Sequence, residues 1–291
     1  MKAATVWTWG RRAWRAGLLV GLACGLWGFV IEPRRLVEAP YALVLPGWPA
    51  QCDGLRVDAV SDLHTGSPHN GVERLDAIVA RLVASDSDAV FVAGDYLIQG
   101  VWLGQFVAPA TIADHLRPLA TRKPVFAVLG NHDWWDDGPR MRAALESVGV
   151  VVLENQSRRV MLRGCEVWMA GIGDFWEGRP DPERAFADIP AGAPVLALTH
   201  NPDLFPVMPP RAALLVAGHT HGGQVNLPLL GRLVVPSQYQ DRYAIGHIIE
   251  RGRHLFVTPG IGTSILPVRF GVPPEISRLT LNAAPPRPSP H

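Results

Sequence analysis

Three short apolar segments, each ending in a polar motif, constrain the fold of this 291-residue chain more than any other feature. The segments 55–60, 88–93 and 124–129 are typical of buried strands. Residues 72–83 follow the first with helical spacing, and a helix over 139–148 is predicted after the third. Strand–helix alternation of this kind predicts a largely parallel sheet, in which ligands collect at the carboxyl ends of the strands.

The second half of the chain is richer in strands than in helices. Strand-like segments cover 158–161, 166–170, 194–199 and 212–217, and short segments after residue 232 indicate antiparallel sheet. We therefore predict an α/β fold with two mixed sheets packed face to face and helices outside, a four-layer αββα sandwich. The domain is expected over 52–282, followed by a disordered Pro-rich tail, 283–291.

Five of the ten histidines fall at the predicted strand ends. On an extended segment Asp62 and His64 point the same way, so they can clamp one ion. A cluster of buried carboxylates and imidazoles needs charge compensation or a metal. The polar residues at these strand ends are Asp62, His64, Asp95, Asn131, His132, His200, His219 and His221.

The N-terminus contains an uninterrupted apolar run, 16–31, between a basic N-terminus, 1–15, and a Pro- and Gly-rich linker, 32–51. A transmembrane anchor in a bacterial inner membrane is the preferred interpretation, and a cleaved signal peptide or an interfacial helix are the alternatives. The basic excess before the run favours a catalytic domain on the outer, periplasmic side.

Composition excludes some classes of protein and site. A formal net charge of +1 argues against a dedicated nucleic-acid binder. The three cysteines, Cys24, Cys52 and Cys165, form no C-x-x-C motif, so they are interpreted as small buried or lipid-facing residues without disulfides. Any metal must therefore bind oxygen and nitrogen ligands.

The polar motifs together resemble those of the calcineurin-like metallophosphoesterase superfamily. That family's pattern is D-x-H, G-D, G-N-H-[DE], H and G-H-x-H, in this order. The matching residues here are Asp62-Leu63-His64, Gly94-Asp95, Gly130-Asn131-His132-Asp133, His200 and Gly218-His219-Thr220-His221. The residues around the third and fifth motifs are similar to those of a bacterial membrane-associated phosphodiesterase branch.

The resemblance implies two divalent metal ions, with manganese, iron and zinc all compatible with these ligands. Asp62, His64 and His221 would hold the first ion, and Asn131, His200 and His219 the second. Asp95 would bridge both, and hydrolysis would use a hydroxide that bridges the ions. His132 and Asp133 would be the catalytic residues: His132 would stabilise the phosphoryl oxygens or protonate the leaving group, with Asp133 orienting its ring.

One departure from a family pattern bears on the substrate. Protein Ser/Thr phosphatases of the superfamily carry G-D-x-V-D-R-G, whereas residues 94–100 here lack the Asp-Arg pair. We therefore expect a monomeric hydrolase of a phosphodiester or pyrophosphate, with a lipid-linked substrate as one option. The alternatives are a UDP-2,3-diacylglucosamine-type pyrophosphatase of lipid A synthesis, an exported soluble phosphatase, and a metal-binding scaffold without turnover.

Overall fold

The computed structural model describes residues 2–285 and begins with a long helix, α1 (Lys2–Leu26). A wider π-helical turn, Trp27–Ile31, and a 3₁₀ turn, Glu32–Arg34, carry this helix into the domain. The helical stretch from Arg11 to Arg34 is long and apolar enough to cross a membrane, and an 18-residue window within it has a mean hydropathy of 1.6. The helix therefore extends beyond the predicted run 16–31 at both ends, and it includes most of the basic N-terminus.

The first sheet has six strands, which include the first and the last strand of the domain. Its spatial order is β1 (Val37–Leu45), β14 (Glu275–Ala283), β2 (Leu55–Val60), β3 (Ala89–Ala93), β4 (Val125–Val128) and β5 (Val151–Val152). All neighbours are parallel except β14 and β2. The carboxyl ends of β2, β3 and β4 therefore lie along one edge.

The second sheet also has six strands. Its spatial order is β12 (Gly246–Glu250), β13 (Arg253–Val257), β9 (Leu214–Ala217), β8 (Val195–Leu198), β7 (Cys165–Gly171) and β6 (Gln156–Leu162). The central strands β13, β9, β8 and β7 are parallel, and antiparallel strands close both edges. A small hairpin, β10 (Asn226–Leu227) and β11 (Gly231–Arg232), follows β9.

The two sheets and the helices form four layers. Helices α2 (Val72–Ala84), α3 (Pro109–Ala120) and α4 (Asn131–Ser147) bury their apolar faces on the first sheet. A second core, which includes Phe91, lies between the sheets. On the far face of the second sheet, α5 (Pro182–Phe186) and short 3₁₀ turns cover a third core. The predicted αββα sandwich is confirmed.

Two predictions about the chain's ends need correction. The predicted linker 32–51 contains β1, because an edge strand with one neighbour tolerates Pro40 although it lacks an N–H group. The segments after residue 232 do not form one antiparallel sheet, since β13 pairs parallel with β9 and β14 returns to the first sheet. Most of the predicted tail, 286–291, lies outside the described residues.

The interpretation of the cysteines was wrong for two of them. Cys52 and Cys165 form a disulfide between residues 113 positions apart in the sequence. Cys52 precedes β2 and Cys165 begins β7, so the bond links the two halves of the sandwich at the amino ends of these strands. Cys24 is a free, exposed cysteine on α1.

Candidate metal centre

Seven predicted ligands meet at one edge of the sandwich, where strands from both sheets end. Asp62 and His64 follow β2, whereas His219 and His221 follow β9 of the other sheet. All seven are at most 5% exposed, so their polar groups depend on one another rather than on water. The remaining three are Asp95 after β3, Asn131 after β4 and His200 after β8.

Three of the side chains form the first group of converging atoms. The Nε2 atoms of His64 and His221 are 3.1 Å apart. Asp62 Oδ1 lies 3.3 Å from His221 Nε2 and 4.0 Å from His64 Nε2. These three atoms can face a single ion.

The second group lies beside the first. His200 Nε2 is 3.2 Å from Asn131 Oδ1 and 3.1 Å from His219 Nδ1. This group has one amide oxygen and two imidazole nitrogens, a donor set that suits first-row transition metals.

Asp95 lies between the two groups. Its Oδ2 atom is 3.5 Å from His64 Nε2 and 3.3 Å from His200 Nε2. Its other oxygen, Oδ1, accepts a hydrogen bond of 2.9 Å from the backbone N–H of His132. One carboxylate oxygen therefore faces both groups while the other is fixed by the chain.

The residues present fit a pair of divalent cations. Adjacent ligand atoms of a tetrahedral site with bonds of ~2.0–2.1 Å are about 3.3 Å apart, close to most separations above. Asp62 Oδ1 is buried without a hydrogen-bond partner among the described residues, although Oδ2 of the same side chain accepts one from His219 N–H. A buried carboxylate oxygen without a partner is costly unless a cation binds it.

Backbone carbonyls orient two of the imidazoles. The carbonyl of Leu97 lies 2.9 Å from His64 Nδ1, and the carbonyl of Ala93 lies 2.7 Å from His200 Nδ1. Because a carbonyl only accepts, both Nδ1 atoms must carry the proton. In the neutral ring this leaves each Nε2 lone pair free to bind a cation.

The chain is similar to known proteins over most of its length. The family model for the calcineurin-like phosphoesterases matches residues 55–223, which is more than half of the chain. The chain belongs to the calcineurin-like phosphoesterase family. Among its relatives, phosphodiesterase YaeI of Escherichia coli is 33% identical over 207 residues, covering 70% of this chain and 73% of YaeI.

Two further proteins are similar over most of this chain. The UDP-2,3-diacylglucosamine pyrophosphatase LpxG of Chlamydia trachomatis is 24% identical, over 86% of this chain and 91% of LpxG. The solved structure of the NAD nucleotidase NadN of Haemophilus influenzae has a TM-score of 0.48 and 13% identity, over 71% of this chain. This phosphoesterase chain spans 45% of NadN, about half of its length.

Burial keeps most of the imidazole rings at the centre neutral. It lowers the pKa of His64 and that of His219 to about 3. Burial also raises the pKa of Asp62 to about 6, which disfavours an isolated negative charge there. Neutral imidazoles are the form that binds metal, so His64 and His219 need not lose a proton to do so at neutral pH. His200 is the exception, because in spite of burial Asp95 raises the pKa of His200 well above its ordinary value, so this ring would release a proton to a bound cation.

The backbone around the centre is strained. Five of the seven predicted ligands have positive φ, which costs on the order of 1–3 kcal/mol for each non-glycine residue. Glycines allow the close approach of strand ends: a Cβ on Gly130 would clash with Asp95, and one on Gly218 with Ser61. The five residues are Asp62 (50°), His64 (38°), Asp95 (57°), His219 (69°) and His221 (51°).

Of the two predicted catalytic residues, His132 lines the cavity and Asp133 does not. The ring of His132 lies 4.6 Å from that of His64 and 4.7 Å from that of Trp135, and its Nδ1 has no hydrogen-bond partner in the described part of the chain. The prediction that Asp133 orients the ring of His132 is therefore wrong, because no hydrogen bond joins the two side chains.

Asp133 instead accepts four backbone hydrogen bonds. Its Oδ1 accepts from the N–H groups of Tyr96 and Leu97, at 2.9 and 3.1 Å. Its Oδ2 accepts from Asp95 and Gly130, at 3.0 and 2.9 Å. The carboxylate thus ties the loop that carries Asp95 to the start of α4, so Asp133 is a positioning residue.

A cavity of about 500 Å³ opens over the two groups. Its floor consists of Asp95, Asn131, His132, His219 and His221, and two tryptophans, Trp135 and Trp176, form part of its wall. The two tryptophan residues are 46% and 47% exposed, and their rings stack with centroids 6.4 Å apart. No lysine or arginine lines this cavity within residues 2–285.

Two residues that support the centre have no motif in the sequence. Asp174 is buried, and its Oδ2 accepts from the N–H groups of Trp176 and Glu177, which shapes the turn under Trp176. Arg269 is fully buried and donates to the carbonyls of Pro259, Gly262 and Val272. Only their burial in the folded chain identifies them.

Gly262, which accepts from Arg269, and its neighbour Ile261 contact the ligand loop directly. The N–H of Gly262 donates 2.7 Å to the carbonyl of Asp62, and that of Ile261 donates 3.1 Å to the carbonyl of Ser61. Arg269 therefore supports the loop that holds Asp62 from behind.

Proposed function

We propose that this chain is a membrane-anchored phosphoesterase that uses two divalent cations to hydrolyse a phosphodiester or pyrophosphate bond. The observation that carries the proposal is the division of seven predicted ligands into two groups that share Asp95 Oδ2. A shared oxygen of this kind fits a two-cation centre, because one carboxylate could then serve as a ligand to both ions.

The ligand assignment follows from the two groups. Asp62, His64 and His221 would hold one cation, Asn131, His200 and His219 the other, and Asp95 both. Bound cations would supply Lewis acidity that lowers the pKa of a water molecule and neutralises charge on the phosphoryl oxygens. Manganese, iron and zinc all suit these ligands.

His132 would act on the substrate itself. It lines the cavity beside both groups, and its Nδ1 has no competing partner among residues 2–285. Its ring N–H would donate to a phosphoryl oxygen. Although burial lowers the pKa of His132, a phosphoester anion beside the ring would favour the protonated form that passes its proton to the leaving oxygen. Asp133 would fix the positions of Asp95 and of the N-terminal turn of α4 rather than touch the substrate.

The charge of the cavity favours a diester or a pyrophosphate over a monoester. A phosphomonoester dianion needs strong positive charge, commonly from arginine. The described lining of the cavity contains no arginine or lysine. A phosphodiester, and each phosphoryl group of a disubstituted pyrophosphate, carries a single negative charge, which the cations and His132 would bind without further cationic side chains.

Anchoring by α1 follows from its length, its hydropathy and its exposed apolar side chains. The disulfide between Cys52 and Cys165 supports a domain on the outer side of the membrane, because disulfides persist in oxidising compartments. This agrees with the basic residues that precede the apolar run.

Hydrolysis of bis-p-nitrophenyl phosphate by the purified full chain with Mn²⁺ tests the proposal. We expect turnover that a chelator abolishes and that added Mn²⁺ restores. The monoester p-nitrophenyl phosphate should be the poorer substrate by kcat/KM. Absence of turnover with each of manganese, iron, cobalt and zinc would contradict the proposed activity.

A UDP-2,3-diacylglucosamine-type pyrophosphatase is the second candidate. It is favoured by the similarity to LpxG and by a cavity whose floor is polar and whose wall is partly apolar. Release of UMP from UDP-2,3-diacylglucosamine would support it. If this nucleotide is not cleaved while bis-p-nitrophenyl phosphate is, this candidate is excluded and the phosphodiesterase remains.

A further inference from the structure

Three segments around the mouth of the cavity, two loops and the β10–β11 hairpin turn with the residues that follow it, expose large apolar side chains. We call the segments 102–106, 229–234 and 265–268 the apolar collar. Its members include Trp102 (60% exposed), Leu103 (69%), Leu229 (106%), Leu230 (73%), Ile265 (73%) and Leu266 (49%). Concentrated exposed apolar surface of this kind marks an interaction site.

Hydrogen bonds join the three segments into one surface. The N–H of Trp102 donates 3.1 Å to the carbonyl of Ile265, which connects the first segment to the third. The side chain of Gln224 donates to the carbonyl of Ser264, and Leu233 N–H donates to the carbonyl of Val225. These contacts connect the third segment to the second, so the collar surrounds the mouth as one unit.

The collar continues into the end of the proposed membrane anchor. The N–H of Arg269 donates 2.9 Å to the carbonyl of Gly28, and a Cβ on Gly28 would lie 3.3 Å from Val268. On the same side, Glu32 accepts a hydrogen bond of 3.0 Å from Gly271 N–H. The third segment of the collar is therefore fixed against the point where the helix leaves the domain.

This position favours a lipid bilayer as the occupant over a protein partner. A helix that crosses the membrane brings the surface around its domain end to the level of the lipid headgroups. Arg34 and Arg35 are exposed at this end, where basic side chains face anionic headgroups. Burial of the collar in lipid would remove its apolar surface from water, at ~25 cal/mol per Å².

We propose that the apolar collar is embedded in the bilayer and that the cavity opens into the lipid, so that the substrate is an amphipathic phosphoester. Its phosphoryl group would lie over the polar floor, and its apolar chain would run between collar side chains into the leaflet. This inference rests on the anchoring and the hydrolase activity proposed above. It adds the route of entry and the class of substrate.

Spin labels test the depth of the collar without any need for turnover. The full chain carrying Cys24→Ser receives one label, at Leu103→Cys or Leu229→Cys, in vesicles of phosphatidylcholine and phosphatidylglycerol. Met161→Cys is the matched control, because Met161 is 61% exposed but lies next to the β6–β7 turn, at the disulfide end of the sandwich.

We expect more collisions with oxygen and fewer with a water-soluble nickel complex at both collar positions than at Met161. Equal accessibility at all three positions would overturn the embedded collar. Because this readout involves no hydrolysis, a failure of the proposed activity would not produce that result.

Hydrolysis tests the substrate class. In vesicles, a diacylglycerol phosphodiester of p-nitrophenol should lose about tenfold in kcat/KM in the double variant Leu103→Ser and Leu229→Ser. Hydrolysis of soluble bis-p-nitrophenyl phosphate should change by no more than about twofold, because neither residue lines the cavity.

Equal losses on both substrates, or none on the lipid, would overturn lipid entry through the collar. If the unaltered chain cleaves the soluble diester but not the lipid diester, the amphipathic substrate class is wrong. If it cleaves neither, the hydrolase proposal fails, and the spin-label result still decides the collar.

Discussion

The floor of the cavity and the apolar collar around its mouth follow opposite physical rules. Floor residues such as Asp95 and His219 are at most 5% exposed and have strained backbones. Collar residues such as Leu103 and Leu229 are exposed and offer only apolar surface. The floor can therefore recognise a ligand through directional bonds from a few fixed polar atoms. The collar can recognise a ligand only through the apolar surface area that binding buries.

This difference predicts a gradient in the effects of substitution. A change of one atom in the floor should abolish chemistry, because each buried polar group has a single geometry. A change of a whole side chain at a collar position outside the cavity lining, such as Leu103 or Leu229, should leave chemistry with soluble substrates intact. The predictions below run from the centre outward and would fail if the two regions were equivalent.

The largest effect is expected for Asp95→Asn. The substitution removes the negative charge that faces both His64 and His200. Hydrolysis of the soluble diester should fall about a thousandfold or more, and Mn²⁺ bound per chain should decrease. Asp86→Asn, at an exposed position, is the control and should match the unaltered chain. Retained activity in Asp95→Asn would rule out a shared ligand.

His132→Ala should lose activity but retain metal. The residue lines the cavity and belongs to neither proposed ligand group, so we expect a loss of about 10²–10⁴-fold in kcat with Mn²⁺ stoichiometry unchanged. His115→Ala, on the surface of α3, is the control. Loss of metal from His132→Ala would show instead that His132 is a ligand.

Asp133→Asn should reduce both stability and metal affinity. An amide cannot accept the four backbone hydrogen bonds that the carboxylate accepts, so we expect a loss of about 2–4 kcal/mol in urea unfolding. Because Asp95 N–H is one of the donors, Mn²⁺ affinity should fall more than in an equally destabilised core variant such as Leu145→Ala. Equal affinities would indicate a purely structural role.

Glu154→Gln should flatten the dependence of stability on pH. Burial raises the pKa of Glu154 from 4.5 to about 8 in the folded chain. The folded state therefore holds an extra proton between these values, and its stability falls as pH rises through that window. Glutamine keeps an acceptor for Leu129 N–H but does not titrate. Thermal unfolding of the metal-free chain from pH 5 to 8 measures this, and parallel curves would contradict it.

The smallest effect is expected for Leu229→Ser in solution. This side chain is fully exposed and absent from the cavity lining, so the free energy of unfolding should change by no more than about 0.5 kcal/mol. Cleavage of the soluble diester, measured in detergent, should be unchanged. A large loss there would mean that the collar supports the floor, and the distinction between the two regions would not hold.

Much of the metal centre could be predicted from the sequence, because its polar residues stand where an apolar strand would be expected to continue or to turn. Asp62, Asp95 and His219 are polar residues placed where apolar strands end, and parallel strands bring those ends to one edge. The two-sheet sandwich followed from the same alternation of strands and helices.

Other features left no local signal. Strand β1 contains Pro40, which argues against a strand unless its edge position is known. Cys52 and Cys165 are 113 residues apart, and only the folded chain brings them together. The four donors to Asp133 are backbone groups, which no side-chain motif encodes. The collar residues have the composition of core residues, so their exposure was not predictable.

The positive φ angles of five of the seven predicted ligands have a consequence for the history of the family. These torsions oppose the conformational preference of histidine and aspartate, so they persist only while something compensates for them. In a relative that has lost its metal-binding side chains, further mutations would be free to restore ordinary right-handed backbone torsions. Backbone torsions at these positions would then distinguish working phosphoesterases from inactive descendants, even where the residues that replaced the ligands are polar.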